Sequence, residues 1–112
     1  MENKFDLPFN SIKADHHGVT VKISDKSYIV CEVIPGDCLN ITQINFATVE
    51  EGNKMIIVLK DIASVFYQLP IDIYALPQIG DSLTEEELKE FLEDNLFELH
   101  QDDVDNTLYR WQ

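Results

Sequence analysis

The stretch Thr84-Glu85-Glu86-Glu87-Leu88-Lys89-Glu90-Phe91-Leu92-Glu93-Asp94-Asn95-Leu96-Phe97-Glu98-Leu99 decides how the rest of the chain is read. Thr84 followed three residues later by Glu87 is a capping box, in which each side chain serves the other's backbone N–H. Leu83 and Leu88 stand where a hydrophobic staple would flank it. Glu85, Glu86 and Glu87 complement the positive end of the helix dipole. Leu88, Phe91, Leu92, Leu96 and Leu99 recur at helical spacing, so a helix is expected from about Glu85 to Leu96 or Leu99. Its apolar stripe has to be buried against another layer.

That layer is legible upstream as strands. Val19-Thr20-Val21-Lys22-Ile23 alternates apolar with polar, as in a strand buried on one face. Ser24-Asp25-Lys26-Ser27 has turn chemistry, and Tyr28 to Ile34 is apolar on both faces except at Glu32. The two runs form a first hairpin. Ile41 to Val49 alternates again, Glu50-Glu51-Gly52-Asn53 suits a turn, and Met55-Ile56-Ile57-Val58-Leu59 reads as a buried strand closing a second hairpin. Asp61 to Leu69 is ambiguous, because Ile62, Val65, Phe66 and Leu69 keep helical spacing. Ile71 to Leu76 reads as one more short strand, and Thr107 to Trp111 as an aromatic tail that docks on the body or joins the sheet edge. The expected fold is α+β: an antiparallel sheet of four to five strands in two hairpins, packed by one long C-terminal amphipathic helix. Residues 1–112 make a single domain.

Charge bounds the function. The 112 residues carry 21 Asp and Glu against 8 Lys and Arg, a net charge of −13. Direct binding to nucleic acid or to an anionic membrane through a basic surface is excluded by repulsion. No apolar run reaches the roughly 18 residues of a membrane-spanning helix. The amino terminus shows no secretory signal, so a cytoplasmic, reduced protein is expected. The charge is also uneven. Residues 1–80 hold 10 acids and 6 bases, whereas residues 81–112 hold 11 acids and 2 bases.

Glu86, Glu90, Asp94 and Glu98 fall on one i, i+4 row of the expected helix, each about 6 Å along the axis from the last. Each like-charge pair in such a row costs a few tenths of a kcal/mol. The dipole explains Glu85 to Glu87 but not Asp94 or Glu98, which sit at its negative end. The candidate partner-binding residues are therefore Glu86, Glu90, Glu93, Asp94 and Glu98, extended by Asp102, Asp103 and Asp105. Phe97 falls at the centre of this acidic face if the helix continues, as an apolar anchor ringed by charge. If the helix instead ends near Asn95, Phe97 turns inward.

Catalytic and metal motifs are not found. The 4 glycines are scattered, no serine stands in a nucleophile elbow, and His16 and His17 are adjacent, so on a strand they would point to opposite faces. Cys31 and Cys38 with the histidines lack zinc-site spacing, and Asp103-Val104-Asp105-Asn106 lacks the turn glycine and closing glutamate of a calcium loop. Cys31 reads as a small core hydrophobe. Glu32, the acid most open to partial burial, reads as holding its head in water.

The expectation is a non-enzymatic protein without metal or cofactor: an acidic inhibitor or immunity-type module that covers a basic, nucleic-acid-binding surface of a partner protein, such as a nuclease toxin, a restriction or CRISPR-type effector, or a glycosylase. This small acidic α+β build resembles, in composition, bacterial immunity proteins and phage-encoded DNA mimics. The first alternative is a structural or adaptor domain associating through a sheet edge or the tail (Tyr109, Trp111), its helix serving solubility alone. The second is a small enzyme or metal protein. Oligomeric state is open.

Overall fold

Alternation of apolar and polar residues produces the strands where it is cleanest. In the computed structural model, which describes residues 11–101 and 107–112, β1 (Ser11–Ala14), β2 (Gly18–Ser24), β3 (Ser27–Ile34) and β4 (Cys38–Asn45) form an antiparallel meander. Val19, Val21 and Ile23 of β2 and Ile29 and Cys31 of β3 face the core, so the first hairpin stands as expected. The β1–β2 turn is closed by Asp15, whose Oδ1 accepts from the N–H groups of His17 (2.8 Å) and Gly18 (3.1 Å). Gly18 itself lies so close to β3 that a Cβ would stand 2.3 Å from the Cys31 carbonyl oxygen.

The second hairpin does not exist. The supposed turn Glu50-Glu51-Gly52-Asn53 is the first turn of a helix, α1 (Val49–Asp61), and Met55 to Leu59 lies inside it. Thr48 caps it: its Oγ1 accepts from the Glu51 N–H at 3.2 Å, with Glu50 and Glu51 at the positive end of the dipole. Gly52, Met55, Ile56, Leu59 and Ala63 are buried at helical spacing, while Ile57 is 58% exposed, which no strand buried on both faces would leave. The helix continues as a π-helical segment, Ile62–Tyr67, and Gln68 closes it in the left-handed region at φ 59°. The helical spacing of Asp61 to Leu69 thus prevails.

A helix between two strands of one sheet returns the chain parallel to where it left. β5 (Ile71–Ile73) accordingly pairs parallel with β4, Leu39 opposite Ile71 and Asn40 opposite Asp72. The two-residue β6 (Gln78–Ile79) also pairs parallel with β4, farther along at Gln43 and Ile44. After α2 (Glu85–Asp94), β7 (Glu98–Gln101) and β8 (Thr107–Trp111) form a hairpin, and β8 pairs antiparallel with β5. The sheet is therefore mixed and eight-stranded, ordered β1-β2-β3-β4-β5-β8-β7 with β6 beside β4. This replaces the antiparallel sheet of four to five strands. The aromatic tail is an interior strand, with Tyr109 only 7% exposed, so the adaptor alternative loses its free tail.

Both helices pack on one core cluster. The rings of Phe46, just past β4, and Phe91 of α2 lie 4.6 Å apart, tilted by 43°. Gly52 sits against both: a Cβ there would stand 2.9 Å from the Phe46 ring and 3.0 Å from that of Phe91. On the opposite face of the sheet from Ile71 and Ile73, Asp72 is fully buried and grips Arg110 of β8 with both oxygens, at 2.7 Å to Nε and 2.6 Å to Nη2.

Cys31 and Cys38 are free and buried. Burial pushes both thiols up from the usual value of 9.0, Cys38 to about 12. Tyr67, Tyr74 and Tyr109 shift the same way, and Lys60, held down by desolvation, opposes them. Thiols that stay protonated in the folded chain but ionise in the unfolded one stabilise the fold fully below about pH 9 and progressively less as pH rises through about 12.

Two outcomes are expected. Gly52→Ala lowers stability by about 1–2 kcal/mol in urea denaturation, because overpacking against two rings outweighs alanine's better helix propensity. The urea midpoint falls steadily above about pH 9, and a thiol reagent at pH 8 finds no reactive cysteine until the chain unfolds.

Candidate functional site: an acidic helix face

The capping box forms as the sequence requires. Thr84 Oγ1 accepts from the Glu87 N–H at 3.1 Å and Glu87 Oε1 from the Thr84 N–H at 2.9 Å. Leu83 and Leu88 are both buried. Once Leu88, Phe91 and Leu92 turn to the core, Glu86, Glu90, Glu93 and Asp94 are all exposed on the other side. No basic residue stands in the last turn of α2. The cation at its negative end comes from α1: Lys60 Nζ donates to the Asn95 carbonyl, lying 5.0 Å from the Trp111 ring centroid and 5.7 Å from that of Phe97.

α2 has 10 residues and ends at Asp94 with Asn95 as its C-cap, short of the expected Leu96 or Leu99 and at the alternative end near Asn95. Its stop is a Schellman motif: the Phe97 N–H donates to the Leu92 carbonyl at 2.9 Å and the Leu96 N–H to that of Glu93 at 3.0 Å. The motif's usual contact between the residues at either end of the longer bond carries Phe97 onto Leu92, and Phe97 is 3% exposed. Phe97 is thus a core residue and not an exposed anchor among carboxylates. The apolar stripe stops with it, since Leu96 and Leu99 are 72% and 53% exposed. Glu98 leaves the helical row for β7, where it is exposed opposite Arg110. Asp102, Asp103 and Asp105 lie outside the described residues.

What sequence reading missed comes from α1. Glu87, Glu90 and Asp94 form one wall of a shallow groove of about 160 Å³, and Thr48 and Val49 form the other. Val49 is 60% exposed, and Glu50 beside it is exposed as well. Thr48 followed three residues later by Glu51 was the same capping pattern as Thr84 and Glu87. It marked this helix start and was outweighed by the β-branched run behind it.

The surface can attract and hold cations. It does not suit phosphates, even where a strand-helix-strand unit would ordinarily receive them, at the first turn of the helix. That turn holds its own carboxylates, Glu50 and Glu51, and Ser27 Oγ donates to Glu51. His16 and His17 stand exposed in the β1–β2 turn, with rings 3.9 Å apart. No three potential metal ligands converge among the described residues, and no described helix is long and apolar enough to cross a membrane.

No family profile and no curated protein sequence matches the chain. Among solved structures, the crystal structure of the anti-CRISPR protein AcrVA5 is similar to it, at 34% sequence identity and a TM-score of 0.65, over 85% of this chain and 98% of AcrVA5. That identity over that span reflects relatedness of sequence, beyond likeness of fold. The chain belongs to the anti-CRISPR family of AcrVA5.

Proposed function

We propose that this chain inhibits a CRISPR effector by binding it, laying the exposed face of α2 over a basic surface that otherwise holds nucleic acid. The single observation that carries this reading is the uninterrupted row of exposed carboxylates, Glu86, Glu90 and Asp94, on a helix whose other face is locked in the core. Glu93 widens the row and Glu50 of α1 extends it across the groove. Lysines and arginines that grip a phosphate backbone have no steric preference for phosphate oxygen over carboxylate oxygen, so a rigid carboxylate row can occupy their site. Long-range attraction between the two surfaces speeds encounter. Membership of the AcrVA5 family supports a CRISPR system as the target.

The mechanism predicts stoichiometric, salt-sensitive inhibition. Titrated against the effector that AcrVA5 inhibits, the chain should reach full inhibition near one equivalent, with affinity falling steeply between 50 and 200 mM salt. A close interfacial charge pair is worth about 1.5 kcal/mol or more, so the double reversal Glu90→Lys with Asp94→Lys should weaken binding by at least ~100-fold. Affinity indifferent to salt and to these reversals would sink the reading. So would inactivation of a large excess of effector by a trace of inhibitor, which is the mark of a catalyst.

A further inference from the structure

Leu96 occupies a backbone position that most side chains avoid. It stands just after the α2 C-cap with φ at +69°. Glycine or asparagine is the usual occupant there, because in the left-handed region a Cβ crowds the neighbouring carbonyl. The hydrogen bonds of the motif are made by backbone atoms alone, so they do not require a leucine. Contact within the chain does not compensate either, since the residue is 72% exposed. A large aliphatic side chain is thus held in a strained conformation and turned to water. The helix stop accounts for the left-handed backbone here but not for a leucine in it, and an exposed aliphatic side chain that nothing inside the chain explains points to an external contact.

Its surroundings have the anatomy of an interface centre. Asn95, the preceding residue, is clamped to α1 at two points: its Nδ2 donates to Asn53 Oδ1 at 3.0 Å and its carbonyl accepts from Lys60. Ile57 lies between Asn53 and Lys60 on the exposed side of that helix and is 58% exposed. The clamp therefore holds the residue before Leu96 against the stretch of α1 that carries Ile57. Leu96 also lines a cleft of about 310 Å³ together with Glu98, Arg110 and Trp111. Glu93 and Asp94 stand three and two residues before Leu96 in the chain, and both are exposed. A compact apolar centre with charges at its edge is how a few residues come to dominate binding energy.

We infer that Leu96, with Ile57 of α1, is the apolar anchor by which this chain docks on its partner. The occupant is a protein surface that offers an apolar recess flanked by lysine or arginine, the basic groups meeting Asp94 and Glu93 as the recess receives Leu96. This rests on the reading of α2 as the face that binds a basic partner. It assigns to Leu96 the role that Phe97, buried in the core, does not play.

The test exploits opposite signs. Leu96→Gly and Leu96→Asn relieve the left-handed strain, so each should raise the thermal midpoint by about 2–6 °C. Each should also weaken binding to the effector inhibited by AcrVA5 by about tenfold or more. A merely structural role would move stability and affinity together. Ile57→Gln, at an exposed helix site, should leave the midpoint unchanged and lower affinity. Unchanged affinity in all three variants, while Glu90→Lys with Asp94→Lys still abolishes binding, overturns the anchor and leaves the acidic face standing. No binding by the unaltered chain overturns both.

Discussion

The grip of Asp72 on Arg110 holds the halves of the molecule together. Asp72 lies on β5, the strand to which α1 returns the chain, and Arg110 on β8, the second strand after α2. Between them the chain makes its whole C-terminal excursion, and β7 reaches the sheet only through β8. The pair is bidentate and its carboxylate is fully buried. Removing Arg110 would strand the Asp72 carboxylate where water cannot reach it, a loss of about 3–5 kcal/mol in comparable cases. That is a large fraction of the stability of a domain this size. The acidic helix is held at its two ends by β4 and α1, through Ser82 to Asn45 and through Asn95 to Asn53 and Lys60.

α2 also shows how a helix tolerates carboxylates along its whole exposed face. Its first turn is favourable by itself, with the capping box and three glutamates at the positive end. Its last turn is not, and the remedy is supplied from another element. Lys60 reaches over from α1, satisfies the Asn95 carbonyl and stands near two aromatic rings. Repulsion along Glu86, Glu90 and Asp94 then costs only a few tenths of a kcal/mol per pair. The outer face is left without a basic residue in its last turn, which a helix shaped for solubility alone would not require.

Local chemistry was legible wherever it acted alone. The β2–β3 hairpin, the start of α2 and the concentration of acids after residue 80 all follow from alternation, a capping pair and counting. Met55 to Leu59 misled because Ile56, Ile57 and Val58 favour strands by their branching, whereas tertiary packing of the Gly52, Met55, Ile56 and Leu59 face decided for a helix. Once that helix was missed, parallel pairing of β5 was out of reach, since only a crossover explains it. Phe97 went astray for a different reason. A leucine is the wrong residue to announce a left-handed stop, so the periodicity seemed to run on through Leu96. The same residue that hid the end of the helix is the one whose exposure most needs an explanation. Of the candidate site, Glu86, Glu90, Glu93 and Asp94 share one exposed surface, and the contribution of Glu50 depended on knowing that residue 49 begins a helix.

Because α1 and α2 share one side of the sheet, so does the carboxylate row. The other side carries mixed groups, among them Thr20, Lys22, Glu32 and Thr42. A body with its charge gathered toward one side has a permanent dipole moment, and in the field of a cationic surface it experiences a torque as well as a pull. It turns before it touches. Much of the orientational search that slows the docking of two specific patches is thereby done at a distance, during approach.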